Sequence, residues 1–330
     1  MSFSPCIVIP CYNHGAAIGG MVERLSSYGL IIFIVDDGSD TATATALQTL
    51  AAREPLVRLF RMPENRGKGA AVMHGLRAAQ AAGFSHALQI DADGQHDSAD
   101  VARFLAAGQS CPVAVICGQP VYDESVPKGR LYGRYLTHVW VWIETLSFAI
   151  GDSLCGFRLY PLTTAIPLID RVTISRRMSF DIEILVRLVW LGVPVQNLST
   201  RVTYPKDGVS HFDLFRDNLR ITVTHTKLVL GMLLRLPRLF ARRLFGGDPG
   251  TAGNVDSTHW ATFAERGSAW GLGLVATAYR LLGRRIALWV LLPVVTYFFL
   301  TGRRARRASR NYLQRLASHA GPMRRSPLRH

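Results

Sequence analysis

Ala87-Leu88-Gln89-Ile90-Asp91-Ala92-Asp93-Gly94-Gln95-His96 says more about the architecture than any other ten residues of the chain. Its first four residues have the character of a buried strand end, and the chain leaves that strand on two carboxylates one residue apart. In α/β sheets, ligands collect at the carboxyl ends of the strands. Asp91 and Asp93, with the Gln95 amide oxygen two residues further on, suit a hard divalent cation, Mg2+ or Mn2+, that bridges to phosphate oxygens. An isolated Asp-x-Asp can equally be a solvated acidic turn. The segments upstream decide between the two.

Working outward, the first half alternates short apolar runs with longer helical patterns. Strands are expected at residues 6–10, 31–35, 57–60, 86–90 and 113–117, and helices at 15–29, 41–53 and 67–82. Apolar runs bounded by helices indicate an α/β fold with a parallel sheet covered on both faces. Each of the first three strands is followed by a polar motif. Pro10-Cys11-Tyr12-Asn13 offers a ring to stack near a nucleobase and an amide for its edge, or else forms an ordinary turn. In Asp36-Asp37-Gly38-Ser39-Asp40, carboxylates can accept from a base or ribose, while Ser39 or Asp40 caps the next helix. Asn65-Arg66-Gly67-Lys68-Gly69 sets two glycines and two cations at a helix N-terminus, where a diphosphate can approach. It is neither a Walker loop nor the dinucleotide fingerprint.

Composition narrows the function classes. The 330 residues include five cysteines, odd in number and without a Cys-x-x-Cys pair, which argues against a disulfide framework or zinc knuckle. Residues 1–5 lack a basic leader, so the N-terminus is expected in the cytosol. Residues 1–150 carry 11 Lys and Arg against 13 Asp and Glu, whereas the remaining 180 carry 27 against 10. A near-neutral front and a cationic back suggest a catalytic module followed by a surface-seeking one.

Three strand ends with polar motifs and a fourth with Asp-x-Asp, in this order, resemble family 2 glycosyltransferases of the GT-A fold. The similarity is to the dolichol- and polyprenyl-phosphate mannosyl- and glucosyltransferase branch. It runs over residues 5–212 and continues through Asp152-Ser153-Leu154-Cys155-Gly156-Phe157-Arg158, Ser179-Phe180-Asp181-Ile182-Glu183 and residues 204–212. The resemblance implies that Pro10, Tyr12, Asn13, Asp37 and Ser39 hold the nucleoside of a nucleotide-diphosphate sugar. It places Asp91 near ribose or metal, and Asp93 and Gln95 toward metal and diphosphate. Lys68 and Arg158 are candidates for neutralising phosphate charge, with Arg201 and His211 behind them. It also implies inversion by direct attack. A hydroxyl acceptor needs a general base, for which Asp181 is the first candidate and Glu183 the second. Both acids can instead serve as a helix N-terminal pair. A lipid-phosphate acceptor needs no base. Two positions depart from the branch: His14 stands where relatives often have Glu, and His211 where lipid-phosphate relatives often have Lys.

The back half divides further. Residues 213–245 form a basic amphipathic helix of the kind that lies in a membrane interface. Residues 246–330 form a basic helical tail whose uncharged run, 286–300, is short for a membrane crossing. His259-Trp260, Glu265-Arg266-Gly267 and Phe298-Phe299-Leu300 look like the opening of a lauroyl/myristoyl-type lipid A acyltransferase domain. The tail lacks that family's His-x-x-x-x-Asp, so it is expected to serve as an attachment only. The Arg-rich run 303–310 lacks interleaved aromatics, so the expected partner is an anionic membrane surface and not nucleic acid. Together these readings imply a transferase at the cytoplasmic face of the inner membrane, acting on a lipid-linked or amphiphilic acceptor.

Overall fold

A computed structural model describes residues 2–121, 128–202 and 214–245. The strands are β1 (Pro5–Cys11), β2 (Ile32–Asp36), β3 (Val57–Arg61), β4 (His86–Gln89), β5 (Val115–Val121), β6 (Arg158–Pro161) and β7 (Val195–Arg201). The helices are α1 (Gly15–Ser26), α2 (Thr41–Arg53), α3 (Lys68–Ala81), α4 (Val101–Ser110), α5 (Lys128–Thr145), α6 (Leu162–Arg171), α7 (Phe180–Leu191) and α8 (Leu214–Phe245). The seven strands form one sheet in the order β3-β2-β1-β4-β6-β5-β7.

β1 explains why the sheet is buried on both faces. Cys6 and Val8 join one apolar cluster, while Ile7, Ile9 and Cys11 join the other, as alternation along a strand requires. The α3 helix packs closely on β1 because Gly75 has no side chain. A Cβ there would stand 2.4 Å from Val8 Cγ1. The α2 helix keeps its expected bounds, with Asp40 as the cap accepting from the Thr43 N–H at 2.8 Å.

The expectation of a parallel sheet needs one correction. β6 runs antiparallel to both β4 and β5. Only four residues long, it carries the end of the Cys-Gly-Phe-Arg segment and was not visible as a separate apolar run. Its register sets Arg158 beside Gln89, so the start of β6 lies at the same sheet edge as the end of β4. That edge also collects the loops after β1, β2 and β3.

Residues 204–212, including His211, and the tail 246–330 lie outside the described residues. Among the described residues no helix is long and apolar enough to cross a membrane.

Candidate active site

The loops after the first three strands are tied into one rim. Asn13 takes a left-handed conformation (φ 56°), which Asn tolerates better than most residues. Its N–H donates to Ser39 Oγ at 3.0 Å, and its Oδ1 accepts from the Asp40 N–H at 2.9 Å. Asp36, fully buried, accepts from the Ser39 N–H and from Arg61. Asp37 reaches across instead. Its two oxygens accept from the N–H groups of Arg66 and Gly67 at 2.8 and 2.7 Å. Burial pushes the Asp37 carboxyl above its ordinary value, against the pull of those two N–H groups. Pro10 is buried within β1 and Tyr12 is half-buried beside it. The five nucleoside candidates therefore converge, but Asp37 and Ser39 spend side-chain bonds on holding the rim together.

The glycines of the third loop serve packing more than ligand approach. A Cβ on Gly67 would meet Arg176 O at 2.6 Å, and one on Gly69 would meet Phe180 Cβ at 2.5 Å. The first turn of α3 thus lies directly on the first turn of α7.

Asp91 and Asp93 leave the end of β4 as expected. Asp91 Oδ2 accepts from Lys68 Nζ at 2.8 Å, whereas Asp91 Oδ1 is buried without a hydrogen-bond partner. Gly156 backs this carboxylate so closely that a Cβ there would stand 2.1–2.4 Å from its atoms. Asp93 Oδ1 accepts from the Gln95 N–H at 3.0 Å across Gly94, whose φ is 69°. Burial would raise the Asp91 carboxyl, but Lys68 and His96 hold it below its ordinary value. Burial and then the neighbouring Asp91 charge push Asp93 up. Two crowded carboxylates, one with an orphaned oxygen, fit a hard divalent cation that satisfies that oxygen and relieves their repulsion. Among the described residues no group of three His, Cys, Asp or Glu is arranged to hold a metal by itself. Two carboxylates with an amide suit an ion that takes its remaining ligands from water and substrate phosphates.

The second acid pair sits elsewhere and is differently used. Asp181 and Glu183 lie in the first turn of α7. Asp181 Oδ2 stands 2.7 Å from Lys68 Nζ, and its Oδ1 accepts from Gln89 at 3.3 Å and faces Arg158 at 3.9 Å. Glu183 accepts from the Ser175 N–H at 2.9 Å and from Arg187 at 2.7 and 2.9 Å. The Glu183 carboxylate thus braces the loop before α7 and Arg187. Arg158 is fully buried and donates to the carbonyl oxygens of Asp181 and Ser153. It fixes the backbone beneath the site. Arg201 is exposed at the end of β7. His86 and Asp91, which match the acyltransferase spacing, lie at opposite ends of β4. His86 is bonded to Ser85 and the Pro112 carbonyl.

Residues 6–162 match the family described as glycosyl transferase family 2. The chain carries a family 2 glycosyltransferase domain. Its α/β sheet is mixed and mainly parallel. Among similar proteins, a dolichyl-phosphate beta-glucosyltransferase of Dictyostelium discoideum is 26% identical over 238 residues, 65% of this chain and 70% of that one. A polyprenol monophosphomannose synthase of Mycolicibacterium smegmatis is 26% identical over 62% of this chain and 79% of that one. A mannosyltransferase of Pyrobaculum calidifontis, solved in complex with GDP-Man and Mn2+, superposes with a TM-score of 0.44 at 16% identity. That superposition covers 91% of this chain and 86% of the other.

A second region of the described chain, α5 with α8, is organised differently. α5 and α8 pack on each other through a buried pair, Glu144 Oε1 and His225 Nδ1 at 2.6 Å. Outward, α5 exposes Leu136, Trp140 and Ile143, and α8 exposes Leu219, Val223, Leu230 and Leu234. Residues 218–245 carry six Lys and Arg and no Asp or Glu.

Proposed function

We propose that this chain is a metal-dependent, inverting glycosyltransferase. It moves a sugar from a nucleotide-diphosphate donor to a polyprenyl phosphate at the cytoplasmic face of the inner membrane. The observation that carries the transferase reading is the Asp91–Asp93 pair with its buried, unpartnered Oδ1. Asp91, Asp93 and Gln95 hold the divalent ion, Mg2+ or Mn2+. When bound, the ion supplies a positive charge for the leaving diphosphate, whose own charge grows as the anomeric bond breaks. The rim built from Tyr12, Asn13, Asp37 and Ser39 receives the nucleoside.

The choice of acceptor is supported by Asp181. A general base must present an oxygen to the proton it removes. Here the Lys68 ammonium, the Gln89 amide and the nearby Arg158 guanidinium already engage both oxygens of a carboxylate that is only 3% exposed. An acceptor that is already anionic removes the need for a base: its phosphate oxygen attacks the anomeric carbon from the face opposite the departing diphosphate. Two relatives carry dolichyl-phosphate and polyprenol in their names, which points the same way. The outward apolar residues of α5 and α8, surrounded by cations, suit an anionic bilayer. Each Lys or Arg near such a surface contributes about 1 kcal/mol.

The test compares two acceptors of equal chain length, a polyprenyl phosphate and the corresponding polyprenol, with a panel of nucleotide sugars in detergent. Transfer to the phosphate alone is expected. Equal transfer to the alcohol, lost in Asp181→Asn, would overturn the base-free reading.

A further inference from the structure

Lys68 opens α3 at its first position, where the helix dipole disfavours a cation. It is nevertheless mostly withdrawn from solvent, between Asp91 Oδ2 at 2.8 Å and Asp181 Oδ2 at 2.7 Å. The contact of Gly69 with Phe180 is what brings these elements close enough for one ammonium to join carboxylates so distant in sequence. Burial alone would lower the Lys68 value; the two carboxylates outweigh it and keep the amine charged.

We propose that Lys68 is a positioning residue that divides its charge between Asp91 and Asp181, and so sets how strongly Asp91 binds the divalent ion. The proposal rests on the metal reading above. With Oδ2 held by the ammonium, the unpartnered Oδ1 is the Asp91 oxygen that would hold the ion. The same ammonium partly cancels the charge that attracts the ion, and Asp181 competes for it. Removing Lys68 therefore leaves Asp91 more attractive to a cation. Neutralising Asp181 gives Lys68 wholly to Asp91 and leaves it less attractive. The two changes act with opposite sign, which a loss of packing would not do.

The experiment measures Mn2+ alone, binding to the full-length protein in detergent, from the electron paramagnetic resonance signal of the free ion. Lys68→Met is expected to bind roughly tenfold more tightly than wild type, and Asp181→Asn about threefold more weakly, as an unscreened or added charge near the ion requires. Lys68→Arg should stay near wild type. Weaker binding in both Lys68→Met and Asp181→Asn, or no change in either, would overturn the proposal. If Lys68→Met does not fold, Asp181→Asn decides, and unchanged or tighter binding there is fatal. Absence of Mn2+ binding by wild type would remove the metal reading, and the proposal with it.

Discussion

Asp91 with Asp93, and Asp181 with Glu183, are two acid pairs of identical spacing that do opposite things. The first pair leaves a strand end with one oxygen buried and unpartnered, and with Asp93 crowded by its neighbour. The second opens a helix with its oxygens engaged by Lys68, Gln89, Ser175 and Arg187. Spacing alone cannot tell a carboxylate pair with an oxygen to spare from a pair already filled by the protein's own donors. What separates them is the count of donors delivered by distant segments. Lys68 is the link, since it serves one oxygen of each pair.

The contrast can be broken most severely at Gly156. In Gly156→Ala the new methyl would occupy the place of the Asp91 carboxylate, whose atoms lie 2.1–2.4 Å away. Transfer should fall at least about a hundredfold, the scale on which losing charge stabilisation at a leaving group is felt. The fold should persist, as judged by circular dichroism. Retained transfer would mean that the carboxylate need not stand where the structure has it.

A smaller effect is expected at Asp152, which holds the turn leading to Gly156. It accepts from the N–H groups of Leu154 and Cys155 at 2.8 Å, and from Arg134 at 2.7 Å, with His138 at 3.4 Å. Burial would raise its carboxyl, but His138 and the Arg134 guanidinium hold it well below the usual range. Such a group stabilises the fold above its unfolded value, near 4, and that contribution fades as pH falls toward the folded one. The difference in Tm between wild type and Asp152→Asn should therefore shrink between about pH 5 and pH 2. A constant difference would refute the linkage.

The sequence exposes what is local. Apolar runs bounded by turn residues revealed four of the strands on the β1 side and the acid pair at the end of β4, because a strand and its end lie in one stretch of chain. The start of α2 followed from a cap at Ser39 or Asp40, and Asp40 is the one that fills it. By contrast, β6 is only four residues long and runs against its neighbours, and its role depends on pairing with β4, far upstream. Arg158 carried the charge expected of a phosphate ligand, yet a cation cannot be told from a backbone clamp until the carbonyls of Ser153 and Asp181 are placed around it. The glycines flanking Lys68 looked like a diphosphate cradle. Their closest neighbours are Ser175, Arg176, Arg177 and Phe180, more than a hundred residues later in the chain. Only the pair spacing of Asp181 and Glu183 was visible, not the donors that fill it.

The most direct measurement follows nucleotide release from a panel of nucleotide sugars, with Mn2+ and a polyprenyl phosphate, for wild type, Asp93→Ala and Glu183→Gln. One donor should be consumed by wild type, and Asp93→Ala should lower that rate at least about a hundredfold. Glu183→Gln should keep the rate while losing about 1.5–3 kcal/mol of stability, the worth of hydrogen bonds to a charged group. Wild-type release by Asp93→Ala, or its abolition in a folded Glu183→Gln, would contradict the account.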